Sequence, residues 1–243
     1  MSVLSEIKAM GTGVRDLFFP RSCALCGVRT EDGPICKKCG FEFEINLTAR
    51  CSNCGKIIEQ TTGCPNCGEE MDCFLLPVLH FNEITREMIH LLKYGGRIDV
   101  GHHIGSVMAE LLDIELFEGV DAFLPVPLHP VKKRSRGYNQ SEIIAERLGS
   151  EFGIYVERKA IKRIRNTGTQ TKLNVVERQN NVSGAFEAKL QLTNRTFVII
   201  DDVITTGATT RELASTVKSA GGNVKFAVSI ASPELEQSLE HEI

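Results

Sequence analysis

Two carboxylates stand side by side at Asp201 and Asp202, and hydroxyls and a glycine follow at Thr205-Thr206-Gly207-Ala208-Thr209. Paired acids can hold two vicinal hydroxyls, or a divalent cation through oxygen. A loop of free N–H groups and hydroxyls that enters a helix N-terminus suits a phosphate. Sugar hydroxyls one step from a phosphate describe a ribose 5-phosphate. A buried strand with an Asp-rich turn and a Thr cap would account for one Asp and one Thr, but not for two and three.

A second set of reactive side chains lies upstream. Eight of the nine cysteines fall between residues 23 and 67, as four C-x-x-C-G knuckles: Cys23 with Cys26, Cys36 with Cys39, Cys51 with Cys54, and Cys64 with Cys67. Nine residues separate Cys26 from Cys36, and nine separate Cys54 from Cys64, which reads as an internal duplication. Four thiolates in two such pairs make a closed, tetrahedral zinc site, and the glycine after each pair permits a tight turn with positive φ. The expectation is two structural Zn2+ sites and no catalytic one. Sequential pairing of knuckles is simplest; a crossed pairing of first with third stays open. So small a segment with few large apolar residues needs the metal to fold. Cys73 falls outside the repeat and reads as a core thiol at the start of the next strand.

The frame for the acidic pair begins with Phe197-Val198-Ile199-Ile200, apolar without alternation. That pattern suits a strand covered on both faces, at the centre of a parallel sheet flanked by helices. Full burial of Val198, Ile199 and Ile200 would contribute roughly 1.5–3 kcal/mol each. The acids fall where this strand should end, and a helix should begin near Thr209. Ligands of open α/β sheets bind at the carboxyl ends of strands. Neither G-x-x-x-x-G-K-[ST] nor G-x-G-x-x-G after a strand occurs, which argues against a P-loop nucleotidase and a dinucleotide fold.

The preceding segments suggest partners for this site. Asp121 to Pro127 reads as a strand ending at its prolines. Leu128 to Gln140 follows as a loop with four cations and Gly137, ahead of an amphipathic helix; a cationic loop there could hold a pyrophosphate, with Arg offering bidentate contacts. Val156 to Ile164 alternates weakly, as a strand. Arg165 to Lys172 is polar and basic, a composition able to close over a bound phosphoester. A short helix over 173–181, a strand over 182–186, a helix over 212–220 and a parallel strand over 223–231 complete the pattern. Further upstream, 74–81 reads as a strand or extended segment, and helices are expected over 84–92 and 100–112. His102 and His103 are read as core or solvated residues of the latter.

The 243 residues, 42% of them hydrophobic, allow one ordinary domain and a small one. The boundaries read as an N-terminal helix or linker over 1–19, a double four-cysteine ribbon over 20–72 and the α/β domain over 73–243. No run approaches the roughly 18 apolar residues of a membrane helix. The N-terminus lacks the basic start and apolar core of a signal peptide, so the expected location is the cytoplasm. Net charge is −3, yet Lys132 to Arg178 holds twelve Lys and Arg against five Asp and Glu, a net of +7 that leaves −10 elsewhere. A basic segment on an acidic chain points to a local anionic ligand.

The strand, acidic pair and Thr-Thr-Gly-x-Thr loop resemble the phosphoribosyl pyrophosphate motif of type I phosphoribosyltransferases. The wider pattern is similar to the ComF family of competence-associated, phosphoribosyltransferase-like proteins. It is carried by the cysteine ribbon, Leu92-Lys93-Tyr94-Gly95-Gly96-Arg97, Val126-Pro127-Leu128-His129, Arg136-Gly137-Tyr138-Asn139-Gln140, Gln170 with Leu173 and Arg178, and Asn181 through Phe186. That resemblance implies Asp201 and Asp202 at the ribose hydroxyls and Mg2+, and Thr205 to Thr209 around the 5-phosphate. It also implies Arg136 and Gly137 in a pyrophosphate loop, Arg165 to Lys172 in a flexible loop, and an acceptor hood drawn from residues 74–97. Transfer of ribose phosphate to an acceptor, in the handling of incoming single-stranded DNA, is the activity it implies. The alternative is a single-stranded-DNA or partner-binding module, without turnover, that keeps the fold.

Overall fold

An apolar run without alternation has to be buried on both faces, and Phe197 to Ile200 is: all four side chains are fully buried. The computed structural model describes residues 21–31, 33–59, 63–66, 73–166 and 182–233. The expected N-terminal helix, Cys67, Gln170, Lys172 and the helix expected over 173–181 with Arg178 lie outside the described residues.

In chain order the elements are α1 (Lys37–Gly40), β1 (Arg50–Cys51), β2 (Phe74–Pro77), α2 (Glu83–Tyr94), α3 (Ile98–Leu111), a 3-10 turn (Ile114–Phe117) and β3 (Ala122–Pro125). They continue with α4 (Pro130–Arg136), α5 (Gln140–Phe152), β4 (Tyr155–Val156), β5 (Ile161–Arg163), β6 (Phe186–Ala188), β7 (Thr196–Val203), α6 (Ala208–Ser219) and β8 (Asn223–Ala231). The six-stranded sheet has the order β1-β2-β8-β7-β3-β4, with β7 inside it as its lack of alternation requires. All pairings are parallel except β1 with β2. The carboxyl ends of β2, β8, β7 and β3 therefore share one edge. Val198 and Ile200 belong to a core with Met88, Leu92, Ile104, Met108, Ile144 and Leu148 of α2, α3 and α5. Phe197 and Ile199 belong to a second core with Leu213 and Val217 of α6, and Ile161 and Phe186 of the β5–β6 pair. Helix α3 lies close on α5 because Gly101 and Gly105 carry no side chain: a Cβ at Gly105 would fall 2.7 Å from the Arg147 Cβ.

Four sequence expectations are adjusted. Phe74–Pro77 is a strand of the main sheet, parallel to β8, and so is part of the frame and not of a hood over it. The cationic stretch after β3 is not all loop. Pro130 fixes the first turn of α4, His129 Nδ1 accepts from the Val131 N–H, and Gly137 at φ 86° closes the helix. The segment over 156–164 is two strands, because the Glu157 carboxylate accepts from the Lys159 and Ala160 N–H groups and turns the chain. The strand expected over 182–186 begins only at Phe186 and pairs antiparallel with β5, apart from the main sheet. No helix among the described residues is long and apolar enough to cross a membrane.

Candidate functional site

Strand β7 carries Asp201 and Asp202 to the carboxyl edge of the sheet, and Gly207, at φ 71°, turns the loop into α6. Asp201, Lys93 and residues 203–210 line a cleft of about 160 Å3. Asp201 Oδ1 accepts from the Asp202 N–H at 2.9 Å and from the Ser141 hydroxyl at 3.2 Å. Asp202 Oδ1 lies 3.2 Å from Lys93 Nζ. Burial, and then the Asp202 carboxylate, push the Asp201 carboxyl up to about 7, against the pull of Lys93, the Asp202 N–H and Ser141. Thr210 Oγ1 is buried at this cleft with no hydrogen-bond partner, while the carbonyl one turn back, Thr206 O, accepts from Arg211 Nη1 at 2.9 Å.

The Arg136-to-Gln140 run has a structural logic of its own. Asn139 caps α5, accepting from the Ser141 N–H at 3.2 Å and donating to Val126 O at 2.9 Å, and this aims Ser141 at Asp201. Tyr138 OH donates to Leu92 O at 2.6 Å, which ties the end of α2 to the same turn. The Arg136 guanidinium donates to Gln140 Oε1 at 2.6 Å and lies 5.4 Å from the Tyr94 ring centre. Burial, and then Arg163, Arg136 and Lys93, press the Lys132 ammonium below its ordinary value. Burial also lowers the Arg163 guanidinium, with Asp201 opposing. Lys93 thus stands at the acids, while Lys132 feels Arg163 and Arg136 as well as Lys93, and Arg163 feels Asp201, a charge pattern suited to a polyanion.

Of the residues expected at the site, Asp201 and Thr205 to Thr209 line one cleft, with Asp202 joined to it through Lys93. Arg136 and Gly137 are not among the lining residues; Arg136 lies against Gln140 and the Tyr94 ring. Arg165 is exposed, donates to Ser183 O and is not among the lining residues. Sequence reading placed Lys132 only within the cationic stretch and did not assign Lys93, Ser141, Arg163 or Thr210. Lys93 had a usable signal, a cation in the last helical turn before Gly95-Gly96; the others depend on contacts between distant segments.

The cysteines form two clusters. The Sγ atoms of Cys23, Cys26, Cys36 and Cys39 all lie within 4.8 Å of one another, as do those of Cys51, Cys54 and Cys64. Among the described residues the grouping is therefore sequential. Cys26 and Cys36 Sγ are 3.7 Å apart, and Cys54 and Cys64 Sγ 3.5 Å. A tetrahedron with Zn–S of about 2.3 Å has S···S edges of about 3.8 Å, so the donor sets are consistent with two zinc sites. Burial, then the three neighbouring thiols, push Cys39 up to about 12. In Cys23 burial is outweighed by the N–H groups of Cys36, Cys26 and Leu25, which bring it down to about 6. Metal binds such thiols only as thiolates, so loading draws their protons off. Cys73 is buried immediately before β2, as expected.

Residues 14–69 match the double zinc ribbon domain family, and residues 131–241 match the phosphoribosyl transferase domain family. Competence protein F of Haemophilus influenzae is 26% identical over 210 residues, 82% of this chain and 85% of its own. DNA utilization protein YhgH of Escherichia coli K12 is 27% identical over 197 residues, 79% of this chain and 82% of its own. Competence protein ComFC of Streptococcus pneumoniae is 25% identical over 217 residues, 82% and 94% of the two chains. A solved Leishmania donovani UMP synthase aligns with 80% of this chain and 36% of its own at 13% identity and a TM-score of 0.33, too low to carry weight. With its cysteine ribbon joined to a phosphoribosyltransferase domain, and with relatives matched along most of their length, the chain belongs to the ComF/YhgH family.

Proposed function

We propose that this protein binds phosphoribosyl pyrophosphate with Mg2+ and transfers the ribose phosphate to an acceptor, as a phosphoribosyltransferase-type glycosyltransferase. The observation that carries the reading is a single edge of the sheet at which two adjacent carboxylates, the Lys93 ammonium and a Thr-Gly loop at a helix N-terminus meet. In this reading Asp201 and Asp202 fix the ribose hydroxyls and offer oxygen to the cation, a hard-donor set that fits Mg2+. Thr205, Thr206, Gly207, Ala208 and Thr209, with the orphaned Thr210 hydroxyl beside them, hold the 5-phosphate. Arg136, Gly137 and Lys132 face the pyrophosphate, and Arg165 and Lys172 belong to the segment that closes over it. Bound Mg2+ would neutralise charge on the departing pyrophosphate. The carboxylates favour positive charge developing at the anomeric carbon. The cysteines hold two structural zinc ions in an N-terminal ribbon over 20–72, ahead of the transferase domain over 73–243. The reading places the protein in the cytoplasm, where its thiols stay reduced.

Lys93 tests the site from outside the familiar motif. Its ammonium is the direct counter-charge of Asp202, and a charge-assisted contact of this kind is worth about 1.5–3 kcal/mol. Lys93→Met is therefore expected to weaken phosphoribosyl pyrophosphate binding by about 10–100-fold, read by equilibrium dialysis with Mg2+. An affinity within twofold of wild type would remove Lys93 from the site.

A second reading draws on the relatives, whose names speak of competence and DNA utilization, and on the net +7 of the central segment. In it the same surface binds single-stranded DNA during DNA uptake without turnover. Binding of an oligonucleotide that falls steeply with salt would support it. Pyrophosphate release on addition of an acceptor would favour the transferase.

A further inference from the structure

The second cysteine cluster and the Thr-Gly loop touch each other. Ser52, inside the Cys51-to-Cys54 knuckle, is 1% exposed, and its carbonyl accepts from Arg211 Nη1. The same Nη1 donates to Thr206 O at 2.9 Å, in the loop itself. One guanidinium nitrogen thus joins the knuckle backbone to the loop backbone. Gly207 sits in the same contact: a Cβ there would fall 3.1 Å from Ser52 O, 3.1 Å from Leu75 Cδ1 and 3.2 Å from Arg211 Nη1. The knuckle is in turn anchored to the main sheet, since Cys51 pairs with Phe74 and Arg50 with Leu75. Gly33, between the two knuckles of the first cluster, instead approaches His103 of α3.

We infer that Arg211 is a positioning residue through which the second cysteine cluster sets the conformation, and so the affinity, of the phosphate loop. A loop held at positive φ on Gly207, with one carbonyl drawn away by Arg211, turns its N–H groups and the Thr205, Thr206 and Thr209 hydroxyls toward the cleft. Unloading the Cys51–Cys54–Cys64 cluster frees Ser52, removes the outer anchor of Arg211 and lets the loop relax. Among the described residues the first cluster shows no such connection, so the two clusters are unequal: one stabilises its own segment, the other also serves the ligand site. The affinity part of this inference rests on the loop being the phosphate site; the conformational part does not.

The test reads the loop directly, by amide hydrogen exchange over residues 204–210 in full-length, metal-loaded protein without ligand. Arg211→Ala is expected to raise loop exchange at least about tenfold, with β7 and β8 protection and zinc content unchanged. Arg211→Lys should recover part of the protection. Cys54→Ser should loosen the loop similarly, and Cys26→Ser should not. Loop exchange in Arg211→Ala within twofold of wild type, or equal loosening by Cys26→Ser and Cys54→Ser, would overturn the inference. If Arg211→Ala fails to fold, the comparison of the two cysteine variants decides alone. In a parallel arm, calorimetry with phosphoribosyl pyrophosphate and Mg2+ should show Arg211→Ala weakened about tenfold. Wild-type protein that binds none would defeat the proposed function, while the exchange result would still decide the positioning role.

Discussion

Asp201→Asn is expected to abolish Mg2+-dependent ligand binding and, at the same time, to make the protein more stable above neutral pH. The two effects have one origin. The Asp201 carboxyl, ordinarily near 3.8, is pushed up to about 7 by burial and by the Asp202 carboxylate. Between those values the folded chain keeps a proton that the unfolded chain has released. Stability therefore falls as pH rises from about 4 to about 7, and above that the ionised pair is carried at full cost. Asn keeps the acceptor for the Ser141 hydroxyl and the Asp202 N–H and carries no charge at any pH. The full shift would correspond to about 4 kcal/mol, and solvent on the open side of the cleft brings the expected gain to the order of 2 kcal/mol. For a chain of this size that is a rise of about 4–8 °C in melting temperature at pH 8, with almost none at pH 4. Thermal unfolding of both proteins across this range in Mg2+-free buffer checks it. A variant less stable than wild type at pH 8 would mean that Asp201 is not under the strain described.

The largest effect on stability is expected from the cysteines. Structural zinc contributes about 10–16 kcal/mol to the folding of small ribbon peptides, and the ribbon has little else. Its buried apolar side chains over the described residues 21–31, 33–59 and 63–66 include only two isoleucines, Ile35 and Ile58, beside the cysteines themselves. The folded chain is expected to hold two zinc ions. Cys26→Ser should leave one, and a strong chelator should remove both and unfold the ribbon. Because thiols crowded like Cys39 bind metal only as thiolates, loading should release protons and weaken steeply as pH falls. Metal analysis after gel filtration, with circular dichroism on the stripped protein, reads all of this. Retention of the wild-type spectrum without metal would show that the clusters do not support the fold.

How much of this was legible in the sequence follows the range of the interactions. The acidic pair and its Thr-Gly loop were readable because strand, carboxylates and helix start are contiguous, so one window contains the whole device. The cysteine clusters were readable because x-x spacing brings two sulfurs to one point locally. The choice between sequential and crossed grouping was not readable, since it depends on how two knuckles meet in space. Ser141 and Arg163 come to the acids from α5 and β5, and no local pattern records those contacts; Lys93, from α2, left only the faint signal of a cation just before Gly95-Gly96. The cationic stretch was read as loop because its charges obscure a helix set up by Pro130 and ended by Gly137. The division of 156–164 into two strands hangs on one side chain, Glu157, turning back on its own backbone. Phe74–Pro77 was ambiguous for the opposite reason: a short run buried on both faces has no period to read.

The most direct test of the proposed site is a calorimetric titration of phosphoribosyl pyrophosphate into the zinc-loaded protein, with and without Mg2+. Two carboxylates beside a phosphate loop and the Lys93 ammonium should give saturable binding at one site per chain when Mg2+ is present, and little or none in its absence. No binding in either condition would contradict the reading of Asp201, Asp202 and residues 205–209 as a phosphoribosyl pyrophosphate site.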